Sequence, residues 1–114
     1  MQVDGKNILV VGAARSGVAA AQFLRGRGAQ VTLNDSKPEA NWPDVSALRD
    51  AGIKIVGGGH PLELFAQADL IVVSPGVPLA LEPFQHARKV GVPVIGEAEM
   101  AARYLRGRMV GITG

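Results

Sequence analysis

The chain has 114 residues and no cysteine, with 47% hydrophobic and 19% charged residues and a net charge of +2. That suits one folded domain with a single core, and it excludes a disordered chain, disulfide or thiol chemistry, and a helical membrane span, since no apolar run approaches about 18 residues. The basic residues are scattered, aromatic residues make up 4%, and two histidines stand without cysteine, so neither a nucleic-acid surface nor a metal cluster is expected.

The start, "MQVDGKN", has no signal-peptide pattern, which points to a cytoplasmic location. "NILVVG" (7–12) then reads as a fully buried strand. "SGVAAAQFLRGRG" (16–28) reads as a helix, with Val18, Ala21, Phe23 and Leu24 on its apolar side and Gly28 as its stop. "QVTLND" (30–35) is a second strand, and "SKPEANWPD" (36–44) a proline-bearing loop. "VSALRDAG" (45–52) predicts a short helix and "IKIVGG" (53–58) a third strand. "PLELFAQA" (61–68) opens with the proline that suits a first helical turn. "DLIVVSPG" (69–76) is a fourth strand broken by Ser-Pro-Gly. "LEPFQHARKVG" (81–91) is a helix that tolerates Pro83 only in its first turn. "VPVIG" (92–96) is a fifth strand, "EAEMAARYLRG" (97–107) a helix, and "RMVGITG" (108–114) a sixth strand.

Strand and helix alternate, and the strands are continuous apolar runs. Strands covered on both faces by helices have this pattern. The predicted fold is therefore α/β: a Rossmann-like, doubly wound parallel sheet of about five strands with helices on both faces.

In such sheets ligands bind beyond the carboxyl ends of the strands, where the strand order switches. "GAARSG" (12–17), "NDSKP" (34–38) and "SPGVP" (74–78) are the loops to consider. In the first, Gly12 permits a tight turn and Gly17 close helix–sheet packing, and the free N–H groups of the helix start suit a phosphate. Ser16 can cap the helix or donate its hydroxyl to a phosphate, and Arg15 adds charge. The same glycines also suit a plain strand-to-helix turn. Ala14 stands where a dinucleotide loop has its middle glycine, so the loop is less suited to NAD. Asp35 lies 18 residues after Gly17, a spacing that fits an acid bonding a ribose hydroxyl or a nucleobase N–H, or an Asx-turn. Pro75 and Pro78 stiffen the third loop, Gly76 lets a ligand approach the backbone, and Ser74 sits at the strand tip. "GGGHP" (57–61) reads as a turn, and His60 has no acid or nucleophile paired with it in the motif.

With these loops in place, the chain resembles the N-terminal domain of the Mur ligases. The likeness rests on "GKNILVVGAARSGVAAAQFL", "GGHPLEL", "ADLIVVSPGVP", "GVPVIGEAEM" and "VGITG", in the family's order and over most of the chain. "SPGVP" followed by "PVIGEAEM" is its specific part. The resemblance implies a bacterial, cytoplasmic enzyme of peptidoglycan synthesis with three domains. Such an enzyme joins D-glutamate to UDP-N-acetylmuramoyl-L-alanine through an acyl phosphate, with ATP and magnesium in its central domain. It also implies residue roles. Arg15 and Ser16 would lie by the diphosphate. Asp35, Ser36 and Lys37 would surround the uracil, with Asp35 accepting its imide N–H. Ser74 and Gly76 would line the same pocket. The family often has glycine where this chain has Ala14.

By the same resemblance, residues 1–96 are the UDP-binding domain. Residues 97–114 are a linker helix and the first strand of the central ATPase domain. The lysine and hydroxyl residue of the ATP loop would follow Gly114, so these 114 residues are expected to bind the UDP compound without ATP or metal and without catalysing ligation. The strand at 109–113 is expected to join a sheet or be mobile. The partner would be the remainder of the ligase chain. Two other readings stay open: an NAD(P)-binding domain of an oxidoreductase, and a non-catalytic domain with a vestigial pocket.

Overall fold

A computed structural model of the chain describes residues 2–42 and 44–104, so the expected sixth strand at 109–113 lies outside the described residues. Five parallel strands form one sheet: β1 (Asn7–Val11), β2 (Gln30–Asp35), β3 (Lys54–Gly57), β4 (Leu70–Val73) and β5 (Val94–Gly96). Their order is β3-β2-β1-β4-β5. The chain winds outward from β1 to β3, then returns to the other side of β1 with β4. The order therefore reverses between β1 and β4, which is where a crevice opens at the carboxyl ends of the strands.

Helices cover both faces. They are α1 (Arg15–Gly26), α2 (Val45–Asp50), α3 (Leu62–Ala66), α4 (Glu82–Lys89) and α5 over residues 97–104. Side chains along β1 alternate between the two sides. Ile8 and Val10 pack with Ala20, Ala21 and Leu24 of α1, Leu48 of α2 and Met100 of α5. Leu9 and Val11 pack on the other face with Phe65 of α3 and with Phe84 and Ala87 of α4. Burial on both faces is why the strand read as one unbroken apolar run.

Local signals placed the ends of the helices. Gly28 takes φ +92°, a left-handed conformation that ends α1, while its N–H bonds the Arg25 carbonyl. Pro83 sits in the first turn of α4, where its missing N–H costs nothing. One expectation needs correction. Phe23 is 40% exposed and lies at the flank of α1 instead of on its core side, which Gly17, Ala20, Ala21 and Leu24 occupy. Phe23 and Leu24 are adjacent on a helix, so their side chains diverge by about 100°, and Leu24 takes the core. Phe23 instead meets Tyr104 of α5 edge-on at 4.9 Å, and the Arg27 guanidinium lies 5.0 Å from the Phe23 ring and 5.4 Å from the Tyr104 ring.

Two measurements check this packing. The Phe65 and Phe84 rings are fully buried and meet edge-to-face at 5.2 Å. Phe65→Ala is expected to lower unfolding stability by about 3–5 kcal/mol in urea titrations. The Tyr104 hydroxyl is buried with no hydrogen-bond partner among the described residues, and burial raises its pKa while Arg27 pulls it back. Tyr104 is the chain's one tyrosine. Phenolate absorbance should therefore titrate above the ordinary midpoint of about 10. Arg27→Met, which keeps the apolar stem, should move that midpoint higher.

Candidate functional site

The first loop leaves β1 through Gly12, whose φ of +113° turns the chain sharply and whose N–H bonds the Asn34 carbonyl at 2.7 Å. A Cβ there would sit 2.5 Å from the Ser74 hydroxyl oxygen, so only glycine fits between β1 and the β4 loop. Helix α1 then starts directly above the strand. A Cβ on Gly17 would overlap the Gly12 carbonyl oxygen, so this glycine sets how closely α1 approaches the sheet. Ala14 occupies the N-cap position, and no side chain caps the helix. The first intrahelical bond runs from the Val18 N–H to the Ala14 carbonyl at 3.0 Å. The earlier N–H groups, those of Arg15, Ser16 and Gly17, have no partner one turn back and face the end of the helix.

Asp35 ends β2 and ties the first two loops together. One carboxylate oxygen accepts the Ala13 N–H at 2.7 Å, and the other accepts the Lys37 N–H at 2.8 Å. The second bond is the Asx-turn geometry anticipated from "NDSKP". The Lys37 carbonyl accepts the Trp42 indole N–H at 3.0 Å and the Gly58 N–H at 2.9 Å, which fixes the second loop against the end of β3.

The third loop brings Ser74, which is 5% exposed, to the same place. Its hydroxyl donates to the Glu97 carboxylate in a short contact and lies 3.4 Å from the Gly12 carbonyl. The Ser16 hydroxyl donates to the same Glu97 oxygen at 3.3 Å. Ser16 is thus neither a cap nor a free donor in this arrangement. Its hydroxyl is directed to an acid at the start of α5.

These loops enclose a cavity of about 670 Å³, within the usual range for a small-molecule site. Gly12, Ala14, Ser16, Asp35, Ser36, Ser74 and Gly76 line it together. Arg15, Gly17 and Lys37 do not: Gly17 sits behind the loop against the sheet, and Arg15 and Lys37 are exposed beside it. Sequence reasoning missed two participants. Glu97 is held by hydroxyls 81 and 23 residues away, and no spacing rule connects them. His60 lines the cavity beside Asp35, with its Nδ1 2.6 Å from the side-chain oxygen of Asn34. Asn34 is fully buried. An asparagine next to Asp35 at the carboxyl end of β2 was the available signal.

Among the described residues no group of three His, Asp or Glu is arranged to hold a metal ion, and no helix is long and apolar enough to cross a membrane.

The glycine pair offers a direct check of the loop. Gly17→Ala should destabilise the fold by about 3 kcal/mol, because the methyl and a backbone carbonyl cannot share one place. Gly26→Ala, which meets open space in the same helix, should be neutral or stabilise by about half a kcal/mol. Thermal melts of the two variants give the comparison.

Residues 6–96 match the family described as the N-terminal domain of MurD-like Mur ligases. The whole chain is 53% identical, over 115 aligned positions, to the UDP-N-acetylmuramoylalanine--D-glutamate ligase of Acidobacterium capsulatum and covers 25% of that protein. The chain thus spans about a quarter of the length of the curated relatives it matches. Among solved structures, a pseudomurein peptide ligase type C from Methanothermus fervidus superposes with a TM-score of 0.71 at 26% identity, over 84% of this chain and 20% of that one. The UDP-N-acetylmuramate-alanine ligase MurC of Thermotoga maritima gives a TM-score of 0.72 at 24% identity, over 89% and 23%, and shows the shared fold. A five-stranded parallel sheet, its glycine loop and the match over residues 6–96 agree, and the chain belongs to the MurD-like N-terminal domain family of the Mur ligases.

Proposed function

We propose that this chain is the substrate-nucleotide domain of an ATP-dependent amide ligase of peptidoglycan synthesis. The 670 Å³ cavity would hold the UDP part of UDP-N-acetylmuramoyl-L-alanine. One observation carries the reading. The cavity lies at the strand-order switch, with a helix start on one side and a loop-bridging carboxylate on the other. The unpaired N–H groups of Arg15, Ser16 and Gly17 suit a diphosphate. Asp35 suits a uracil imide N–H with the lone pairs left over from its two backbone bonds. Ser36, Ser74 and Gly76 complete the walls. Arg15 and Lys37, exposed beside the cavity, are placed to approach the ligand's charges from the rim.

In this reading residues 1–96 form the UDP-binding domain. Residues 97–114 lead toward the ATP-binding domain of a cytoplasmic ligase chain, with α5 docked back on α1 through Met100 and Tyr104. In this reading ATP and magnesium belong to the central domain of the ligase and not to this cavity. The role of these residues is to bind and orient the nucleotide end of the substrate while the reacting carboxyl group extends toward the other domains.

The competing NAD(P) reading is disfavoured by the match of residues 6–96 to the MurD-like N-terminal domain family and by the 53% identity to a ligase of that family. A calorimetric titration separates them. UDP and UDP-N-acetylmuramoyl-L-alanine should bind and NADH should not. Asp35→Ala should weaken UDP binding by more than ten-fold, since it removes an acceptor and frees both loops. NADH binding without UDP binding would overturn the proposal, and binding of neither would favour a vestigial pocket.

A further inference from the structure

His60 follows β3 in a glycine-rich turn, and nothing about a turn requires an imidazole. Its partner explains it. The Asn34 amide nitrogen lies 2.8 Å from the carbonyl of Val56 and 2.8 Å from that of Gly59. Only the NH₂ end of an amide can face two carbonyls, so the orientation of Asn34 is fixed and its side-chain oxygen is an acceptor. His60 Nδ1, 2.6 Å from that oxygen, must therefore be the donor. In the neutral ring the proton is then on Nδ1, and Nε2 carries a lone pair. Phe65 meets the imidazole edge-on at 5.9 Å and restricts its tilt. His60 lines the cavity, and its Nε2 has no hydrogen-bond partner among the described residues.

From this geometry we infer that His60 is a specificity-determining residue of the pocket, presenting Nε2 as an acceptor to a neutral hydrogen-bond donor of the bound nucleoside. That donor is a ribose hydroxyl, because the single imide N–H of the base is assigned to Asp35. The inference rests on the nucleotide reading given above. It gives the pocket a side-chain acceptor beyond Asp35 and the hydroxyls. Both Asp35 oxygens already accept a backbone N–H, so a nucleoside with several donors needs a second acceptor close by. Asn34 acts as the positioning residue: it is fully buried, anchored to two carbonyls, and selects the tautomer that leaves Nε2 available.

The test pairs one variant with three ligand analogues. In His60→Asn the shorter amide can still donate to Asn34, but nothing remains at the Nε2 position. The variant should melt close to the parent chain and bind UDP about three- to ten-fold more weakly, the effect of losing one neutral hydrogen bond. Of 2′-deoxy-UDP and 3′-deoxy-UDP, one should lose a similar factor on the parent chain and lose nothing further on His60→Asn, which identifies the donor hydroxyl; N3-methyl-UDP should lose affinity equally on both chains. Nitrogen-15 NMR of the free parent chain should show the Nδ1-protonated ring, and the Nε2 resonance should move when UDP is added, a readout that holds even if the variant fails to fold. UDP binding to His60→Asn at parental affinity, an Nε2-protonated ring, or an unmoved Nε2 resonance at saturating UDP would each overturn the inference and leave the nucleotide reading standing. A parent chain that does not bind UDP would overturn both.

Discussion

The close approach of Gly17 to the Gly12 carbonyl governs the rest of this molecule. It lowers the start of α1 onto the end of β1, in the position where the sheet order reverses. Everything that makes a site here follows from that contact. The helix's unpaired N–H groups arrive beside the β2 and β4 loops, Ser16 comes within reach of Glu97, and Gly12 must tuck under Ser74. A side chain at Gly17 would push the helix off the end of β1, and one at Gly12 would push away the loop that carries Ser74.

The polar groups around the cavity divide their work. Asp35 acts first as a strut, because one oxygen reaches Ala13, 22 residues earlier, and the other holds Lys37 in its own loop. Glu97 acts similarly for two hydroxyls, drawing Ser16 and Ser74 toward one carboxylate oxygen. With those hydroxyl protons directed at Glu97, the backbone N–H groups at the start of α1 are donors for an anion at this end of the cavity. In the proposed reading the site has donors at the helix start and acceptors at Asp35 and His60. A ligand with a phosphate at one end and N–H or O–H groups at the other matches that polarity.

Much of the architecture was legible in the sequence because its signals are local. The apolar runs, Gly28 after α1, Pro83 in the first turn of α4 and the β–α alternation each depend on neighbours in the chain. The grouping of Gly12, Asp35 and Ser74 was legible too, since a parallel sheet brings strand ends to one edge whatever the intervening loops do. What remained hidden were partnerships that only the folded chain makes. Ser16 looked like a cap, but Ala14 holds the N-cap position and Glu97 takes the hydroxyl. His60 looked like part of a turn, because the buried amide that orients it lies 26 residues earlier, on another strand. Phe23 looked like core, because its adjacency to Leu24 says nothing about the α5 ring that shelters it.

Trp42 is the chain's one tryptophan, and its indole N–H is bonded to the carbonyl of Lys37, two residues beyond the acid that closes the cavity. The ring itself is 8% exposed. Any shift of the β2 loop therefore changes the surroundings of a single fluorophore. The protein carries a built-in optical reporter of its own loop, so indole emission excited at the red edge, where tyrosine does not absorb, can follow the rearrangement of residues 35–37 in real time with no label attached.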